Sequence, residues 1–73
     1  MEQPLIHRDP KIMVGKPVIR GRRITVEHVL RQMAAGATWD AMKADYDLTD
    51  EQIRAAIEYA ADQVAAQKAK AAA

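Results

Sequence analysis

The spacing of apolar residues changes at Thr25 and divides the chain into two parts. Across residues 5–24, short β-prone runs alternate with turn signals such as Asp9, Gly15 and Pro17. Beyond Thr25, apolar residues recur at the three- and four-residue intervals of an amphipathic helix. The pattern therefore predicts a β and turn segment over 5–24 followed by helices.

Three helices are predicted from hydroxyl caps and the apolar stripes that follow them. Thr25 precedes the first stripe, Thr38 precedes the second, and Thr49 with Gln52 makes a capping box before the third. The predicted helices cover residues 26–35, 39–46 and 50–64. The third stripe is the longest and is predicted to be one unbroken apolar face, formed by Ile53, Ala56, Ile57, Ala60, Ala61 and Val64.

This order of elements predicts a mainly α fold. A short N-terminal β segment would precede a three-helix bundle that is similar to a helix-turn-helix. We expect one domain over residues 1–64. Residues 65–73 are rich in Ala and Lys, with high helix propensity but nothing large to bury, so they should form either a helical extension or a frayed tail. Any compact three-helix bundle has the same pattern, so the pattern alone does not establish DNA binding.

Composition limits how much stability the domain can draw from its own core. Of the 73 residues 49% are apolar, yet 15 are Ala and none is Phe. A domain of this size buries only about 60% of the surface that its unfolded chain exposes, so we expect a homodimer or a partner protein. The absence of Cys excludes disulfides and Cys-ligated zinc and favours a cytoplasmic protein. Neither a signal peptide nor a membrane span is expected.

The net charge of +1 conceals an uneven distribution. Residues 1–31 carry seven basic and three acidic side chains, whereas residues 32–73 carry four basic and seven acidic ones. The basic half would suit an anionic partner, either nucleic acid or an acidic protein surface, although a solvated rim would have the same composition.

The most concentrated basic feature is a cluster of three arginines around Gly21. Guanidinium groups so close in sequence could form a compact array for phosphate or carboxylate, although a turn that only aids solubility would look the same. We predict that it binds a partner. The candidate residues for contact with a protein partner or DNA are Lys16, Arg20, Arg22, Arg23, Arg31 and Arg54, and the candidate structural turn residues are Gly15, Pro17 and Gly21.

No catalytic residues, metal site or cofactor are predicted. The chain has neither Cys nor Ser, and His7 and His28 lie on different predicted elements. The acidic run that begins at Asp45 has Asp50 where a calcium-binding loop needs Gly. We therefore expect a protein that is not an enzyme.

The segment from Asp9 to Val26 resembles the opening motif of a bacterial family, domain of unknown function 433. That motif has the pattern D-P-x-I-x-x-G-K-P-x-I-x-G-T-R-I-x-V, and the likeness continues over Ile6 to Ala60. Arg22 stands where the family pattern usually has Thr, which alters the charge and hydrogen bonding of the turn.

The resemblance implies a small helix-turn-helix-like domain and a function. Members often neighbour genes for PIN-like nucleases and are regarded as antitoxins of type II toxin–antitoxin pairs, so the resemblance implies a PIN-like nuclease toxin as the partner. Such nucleases hold metal ions with clustered carboxylates, which an arginine array could neutralise. Two alternatives remain: a DNA-binding autoregulator of its own operon, and a dimeric interaction module with another partner.

Overall fold

A two-stranded sheet and three helices follow one another along the chain. The computed structural model describes residues 4–71, with side chains described through Gln67. The strands are β1 (Ile6–His7) and β2 (Val18–Ile19), and the helices are α1 (Val26–Ala34), α2 (Trp39–Tyr46) and α3 (Asp50–Ala71). The predicted mainly α fold with a short N-terminal β segment is confirmed. Residues 1–3 of the predicted domain and 72–73 of the predicted tail lie outside the described residues.

The two strands pair with each other and with the start of the helical part. β1 and β2 are antiparallel, with Ile6 opposite Ile19. The chain then turns, since the Arg22 amide donates to the Ile19 carbonyl at 2.9 Å, and Gly21 takes a φ of +79° at the position where a type II turn requires a positive value. The Ile19 amide donates to the carbonyl of Ile24 at 2.9 Å. The chain then returns alongside β2, with Thr25 in a bridge to Val18, so β2 has a neighbour on both sides.

The predicted helix starts are confirmed by their hydrogen bonds. The hydroxyls of Thr25 and Thr38 each accept from the amide three residues further on, at 2.9 and 3.1 Å. At the start of α3 the Thr49 hydroxyl accepts from the Gln52 amide at 3.1 Å, and the Gln52 side chain accepts from the Thr49 amide at 2.9 Å. Each helix therefore begins with amides that its own cap satisfies.

The core lies where the sheet and all three helices meet. Its apolar residues come from every element and are Ile6, Val18, Ile19, Val26, Val29, Met42, Leu48, Ile53, Ala55 and Ala56. Thr25 is buried with them, and its cap bond satisfies its hydroxyl. The N-terminal half of α3 packs on α1, α2 and β1, so it is the central element of the fold.

The predicted unbroken apolar face of α3 is wrong in its second half. Ala61 is exposed and Val64 is 61% exposed, whereas Ala55, which was not in the predicted stripe, is buried. The reason is length, because the 22 residues of α3 span about 33 Å and the nine of α1 only about 14 Å. The radius of gyration is accordingly 12.8 Å, against about 11 Å for a compact domain of this length. α3 thus projects beyond the helix that covers it.

Within residues 4–71, no helix is both long enough and apolar enough to cross a membrane.

The turn between the strands contains a strained residue. Met13, Val14 and Gly15 all have positive φ, and Val14, at +56°, is 92% exposed. For a β-branched residue this left-handed conformation costs about 1–2 kcal/mol, whereas Asn tolerates it. We expect Val14→Asn to raise the free energy of unfolding by about 1 kcal/mol and the Tm by roughly 4–8 °C.

Urea and thermal unfolding measure this gain, and Val14→Thr is the matched control. Thr is β-branched like Val and keeps the strain, so its free energy of unfolding should stay within about 0.5 kcal/mol of the original. An Asn variant no more stable than the Thr variant would contradict the assignment of strain.

Candidate partner-binding site

The three arginines of the turn differ in their hydrogen-bond partners. The Arg20 Nε donates to the Pro4 carbonyl at 2.8 Å. The Arg22 guanidinium donates to the carbonyls of Tyr46 and Asp47, the latter at 2.8 Å. Arg23 is exposed and makes no hydrogen bond or ion pair with any described residue. Among the described residues, Arg23 is therefore the one arginine of the cluster whose guanidinium group has no hydrogen-bond or ion-pair partner.

Arg22 caps the C-terminal end of α2. Its two acceptors are the last carbonyls of that helix, which have no partner within the helix, and Asp47 closes it with a left-handed φ of 54°. A positive charge is favourable at a helix C-terminus, where the carbonyl dipoles point outward. Arg22 is half-buried between the turn and α2. Its role is to hold the turn against α2.

Arg23 lines a small pocket that has exposed apolar side chains at its edge. The pocket has a volume of about 280 Å³ and is lined by Met13, Arg23, Ile24, Thr25, His28 and Tyr46. His28 Nε2 lies 3.2 Å from the Tyr46 hydroxyl, and the two rings meet edge to face with centroids 5.3 Å apart. Met13 is 43% exposed, and Val14 adjoins it. We call the surface formed by Met13, Val14, Arg23, His28 and Tyr46 the Arg23 face.

Sequence reasoning missed four of these five residues. Met13 and Val14 looked like an ordinary β-prone run, and His28 and Tyr46 carried no motif. The only local signal is that Met13 and Val14 stand directly before Gly15, a turn residue. Turns usually carry polar side chains, so two apolar residues at this place are unusual.

Lys16 and Arg31 belong to a second cluster, centred on Glu27. The Arg31 Nε donates to one Glu27 carboxylate oxygen at 2.9 Å, and the Lys16 ammonium lies 3.4 Å from the other. The hydrogen bond from Arg31, reinforced by the charge of Lys16, lowers the pKa of Glu27 below its ordinary value. One carboxylate thus partly neutralises two of the predicted contact cations.

We expect an NMR titration to find the pKa of Glu27 lowered, and Arg31→Gln to raise it towards the ordinary value. Because the folded pKa is the lower one, the ion pair stabilises the fold at a pH above the unfolded pKa. That stability is lost as pH falls through the folded pKa. Arg54→Gln, on another surface, is the control and should leave the pKa of Glu27 alone. An unchanged pKa in Arg31→Gln would contradict the ion-pair assignment.

Arg54 lies on a third surface, between α2 and α3. Its guanidinium carbon is 5.9 Å from the centroid of the Trp39 ring, within range of a cation–π contact. Around it, α3 exposes mainly acidic residues, which are Asp50, Glu51, Glu58 and Asp62. A helix that enters the DNA major groove is usually basic, so this face of α3 is poorly suited to reading DNA.

An open groove runs between α1 and the middle of α3. It encloses about 470 Å³ and is lined by Pro17, Val26, Glu27, Leu30, Arg31, Ala34, Tyr59, Ala60, Gln63 and Val64. Most of these side chains are apolar, and the charged groups lie on the α1 rim. We call it the α1–α3 groove.

Among the described residues, no three His, Cys, Asp or Glu side chains come together closely enough to hold a metal ion.

Comparison with known proteins places the chain in a family. The family described as "Protein of unknown function (DUF433)" matches residues 6–60, which is most of the sequence. The chain belongs to the DUF433 family. The resemblance seen in the sequence is thereby confirmed.

Two matches with known proteins show how far the likeness extends. A protein of Mycobacterium tuberculosis (strain ATCC 25618 / H37Rv) named "Putative antitoxin VapB45" is 40% identical over 50 residues, covering 68% of this chain and 21% of that protein. The chain thus spans about a fifth of that relative's length. The crystal structure of a DUF433 member protein from Anabaena variabilis ATCC 29413 matches with a TM-score of 0.79 at 27% identity, covering 94% of this chain and 69% of the other.

Proposed function

We propose that this DUF433 protein is the antitoxin of a type II toxin–antitoxin pair and inhibits a PIN-like nuclease toxin by binding it. The observation that carries the proposal is the 40% identity, over 50 residues, to a protein named as an antitoxin. These residues make up 68% of the chain, so the likeness extends over most of the fold.

The Arg23 face is the contact surface that we propose. A guanidinium with no partner among the described residues gives up no ion pair with them when it meets a carboxylate, and it can bind both carboxylate oxygens at once. The carboxylates that hold metal ions in a PIN-like nuclease are the acceptors that it would meet. Arg23 therefore supplies the charge in this proposal.

The apolar part of the face supports the same assignment. Met13 and Val14 would exclude water around the ion pair between Arg23 and a toxin carboxylate, and a pair removed from water interacts more strongly. Val14 also holds a strained backbone conformation while almost fully exposed, and such strain is most often found at functional sites.

The other predicted contact cations take different parts in this proposal. Arg20 lies on the same turn and assists Arg23, while Arg22 holds the turn against the end of α2. Arg31 lies on the groove rim, Lys16 is paired with Glu27 of that rim, and Arg54 lies on the α2–α3 surface, so we assign these three no toxin contact.

The test uses the product of the neighbouring gene, which the proposal expects to be a PIN-like nuclease, and measures its binding to this chain by calorimetry. We expect Arg23→Ala to weaken binding by roughly tenfold or more, as loss of a central interface arginine usually does. Arg54→Ala removes the same charge from another surface and should bind as the original does. Equal binding by the Arg23 and Arg54 variants would remove the Arg23 face from the proposal, and absence of binding by the unaltered protein would refute the antitoxin function.

A second candidate function is repression of its own operon through DNA binding. The excess of basic over acidic residues in 1–31 favours it, and the acidic surface of α3 means that the N-terminal turn would make the contact. A gel-shift series on the upstream DNA tests it, because each phosphate contact steepens the loss of affinity with salt by about 0.9 in the log–log slope. A flat response would argue against this function.

A further inference from the structure

The α1–α3 groove is an apolar surface that the described part of the chain leaves uncovered. Val64 at its end is 61% exposed, and Leu30, Tyr59 and Ala60 are only partly buried. Contiguous apolar surface of this kind marks an interaction site more often than an ordinary solvated surface.

The chain exposes more surface than a compact monomer of its mass, and the difference is close to the area that one protein interface of ordinary size buries on each partner. The chain exposes 5367 Å², whereas a compact monomer of 8.1 kDa exposes roughly 4,500 Å². The excess of about 900 Å² is close to the roughly 800 Å² that each partner buries in a stable protein interface. The projecting part of α3, which forms one wall of the groove, contributes to this excess.

The charges on the rim identify which partner fits. Glu27 and Arg31 lie one turn apart on the outer side of α1, with side chains 50% and 75% exposed. A two-fold axis across α1 would place Glu27 opposite the partner's Arg31, and Arg31 opposite the partner's Glu27. Since an isologous interface requires a surface to complement itself, this rim suits a second copy of the chain.

We propose that a second copy of this chain fills the α1–α3 groove and forms a two-fold symmetric dimer. Leu30, Ala60 and Val64 of each chain form its apolar centre, and the pairs between Glu27 and the partner's Arg31 close its edges. At 100° per residue His28 lies roughly opposite the groove-facing side of α1, so the dimer leaves both Arg23 faces open. This inference goes beyond the proposed antitoxin function and does not depend on it.

Sedimentation equilibrium on the chain alone tests the proposal. The unaltered chain should be a dimer, and Val64→Asp should raise the dimer dissociation constant by roughly tenfold or more, because it places a charge in the apolar centre. Val14→Asp is the matched control: it alters another exposed valine, outside the groove, and should stay dimeric. Circular dichroism checks that both variants fold.

Charge reversal then tests the predicted register. Glu27→Arg and Arg31→Glu should each weaken self-association, because in either homodimer like charges face each other across the axis. An equimolar mixture of the two variants should recover the dimer, since each chain then offers the charge that the other lacks. The ion pair within one chain cannot produce this recovery, because neither variant contains it.

Three results would overturn the proposal: a monomeric unaltered chain, a dimer that tolerates Val64→Asp, and charge variants that do not recover on mixing. A Val64→Asp variant that stays dimeric but no longer binds the nuclease would assign the groove to the toxin. Because the nuclease is absent from the sedimentation experiment, failure here and failure of the antitoxin function are separate outcomes.

Discussion

Replacing Ile53 by alanine is expected to lower the free energy of unfolding by about 3–4 kcal/mol, because it leaves a cavity at the centre of the fold. Ile53 is fully buried on the half of α3 that packs on α1, α2 and β1. A domain of this length has a total stability of about 4–11 kcal/mol, so the variant should be largely unfolded on mild heating.

Urea denaturation at fixed protein concentration measures this loss. Ile53→Val removes one methylene group in place of three carbons and should cost only about 1 kcal/mol. A cost below about 1 kcal/mol for the alanine variant would contradict the packing of Ile53 described above.

Arg22→Ala is expected to lower the free energy of unfolding by about 2 kcal/mol, because charge-assisted hydrogen bonds to the last carbonyls of α2 are lost. Arg22→Lys should recover only part of the loss, since an ammonium lacks the planar fork that reaches both carbonyls.

The control for Arg22 is its neighbour on the same turn. Arg23→Ala removes an equal charge that has no partner among the described residues, so its free energy of unfolding should change by less than about 0.5 kcal/mol. Equal stability of the two alanine variants would remove the structural role of Arg22. The family pattern usually has Thr at the position of Arg22. The hydrogen bonds that link the turn to α2 therefore depend on the arginine that this chain has there.

Local features of the fold could be predicted because their partners lie close in sequence. A hydroxyl cap binds an amide three residues away, so Thr25, Thr38 and Thr49 were sufficient to place three helix starts. The burial of α3 could not be predicted in the same way. Periodicity gives the apolar side of a helix, whereas the length over which that side is covered depends on α1, a separate element.

The candidate site shows the same division between local and distant contacts. The arginine cluster was evident from composition, and the glycine that shapes its turn was evident beside it. The acceptors of Arg22 were not, because they are backbone carbonyls 24 and 25 residues away, and carbonyls leave no sequence signal. Nor could the sequence separate Arg23, which has no partner among the described residues, from its two hydrogen-bonded neighbours.

The two proposals together describe one assembly. The α1–α3 groove would join two chains, and each chain would present its Arg23 face on the other side of α1. The small core that the composition indicates would then be supplemented by the apolar surface buried between copies.

The most direct test of the proposed antitoxin function uses the PIN-like nuclease that the proposal expects the neighbouring gene to encode. The nuclease is titrated with the purified chain, and its cleavage of RNA is measured. We predict that cleavage falls to background when chain and nuclease are equimolar, and that the Arg23→Ala variant requires a clear excess to do the same. Cleavage that continues undiminished with the unaltered chain in excess would contradict the antitoxin function.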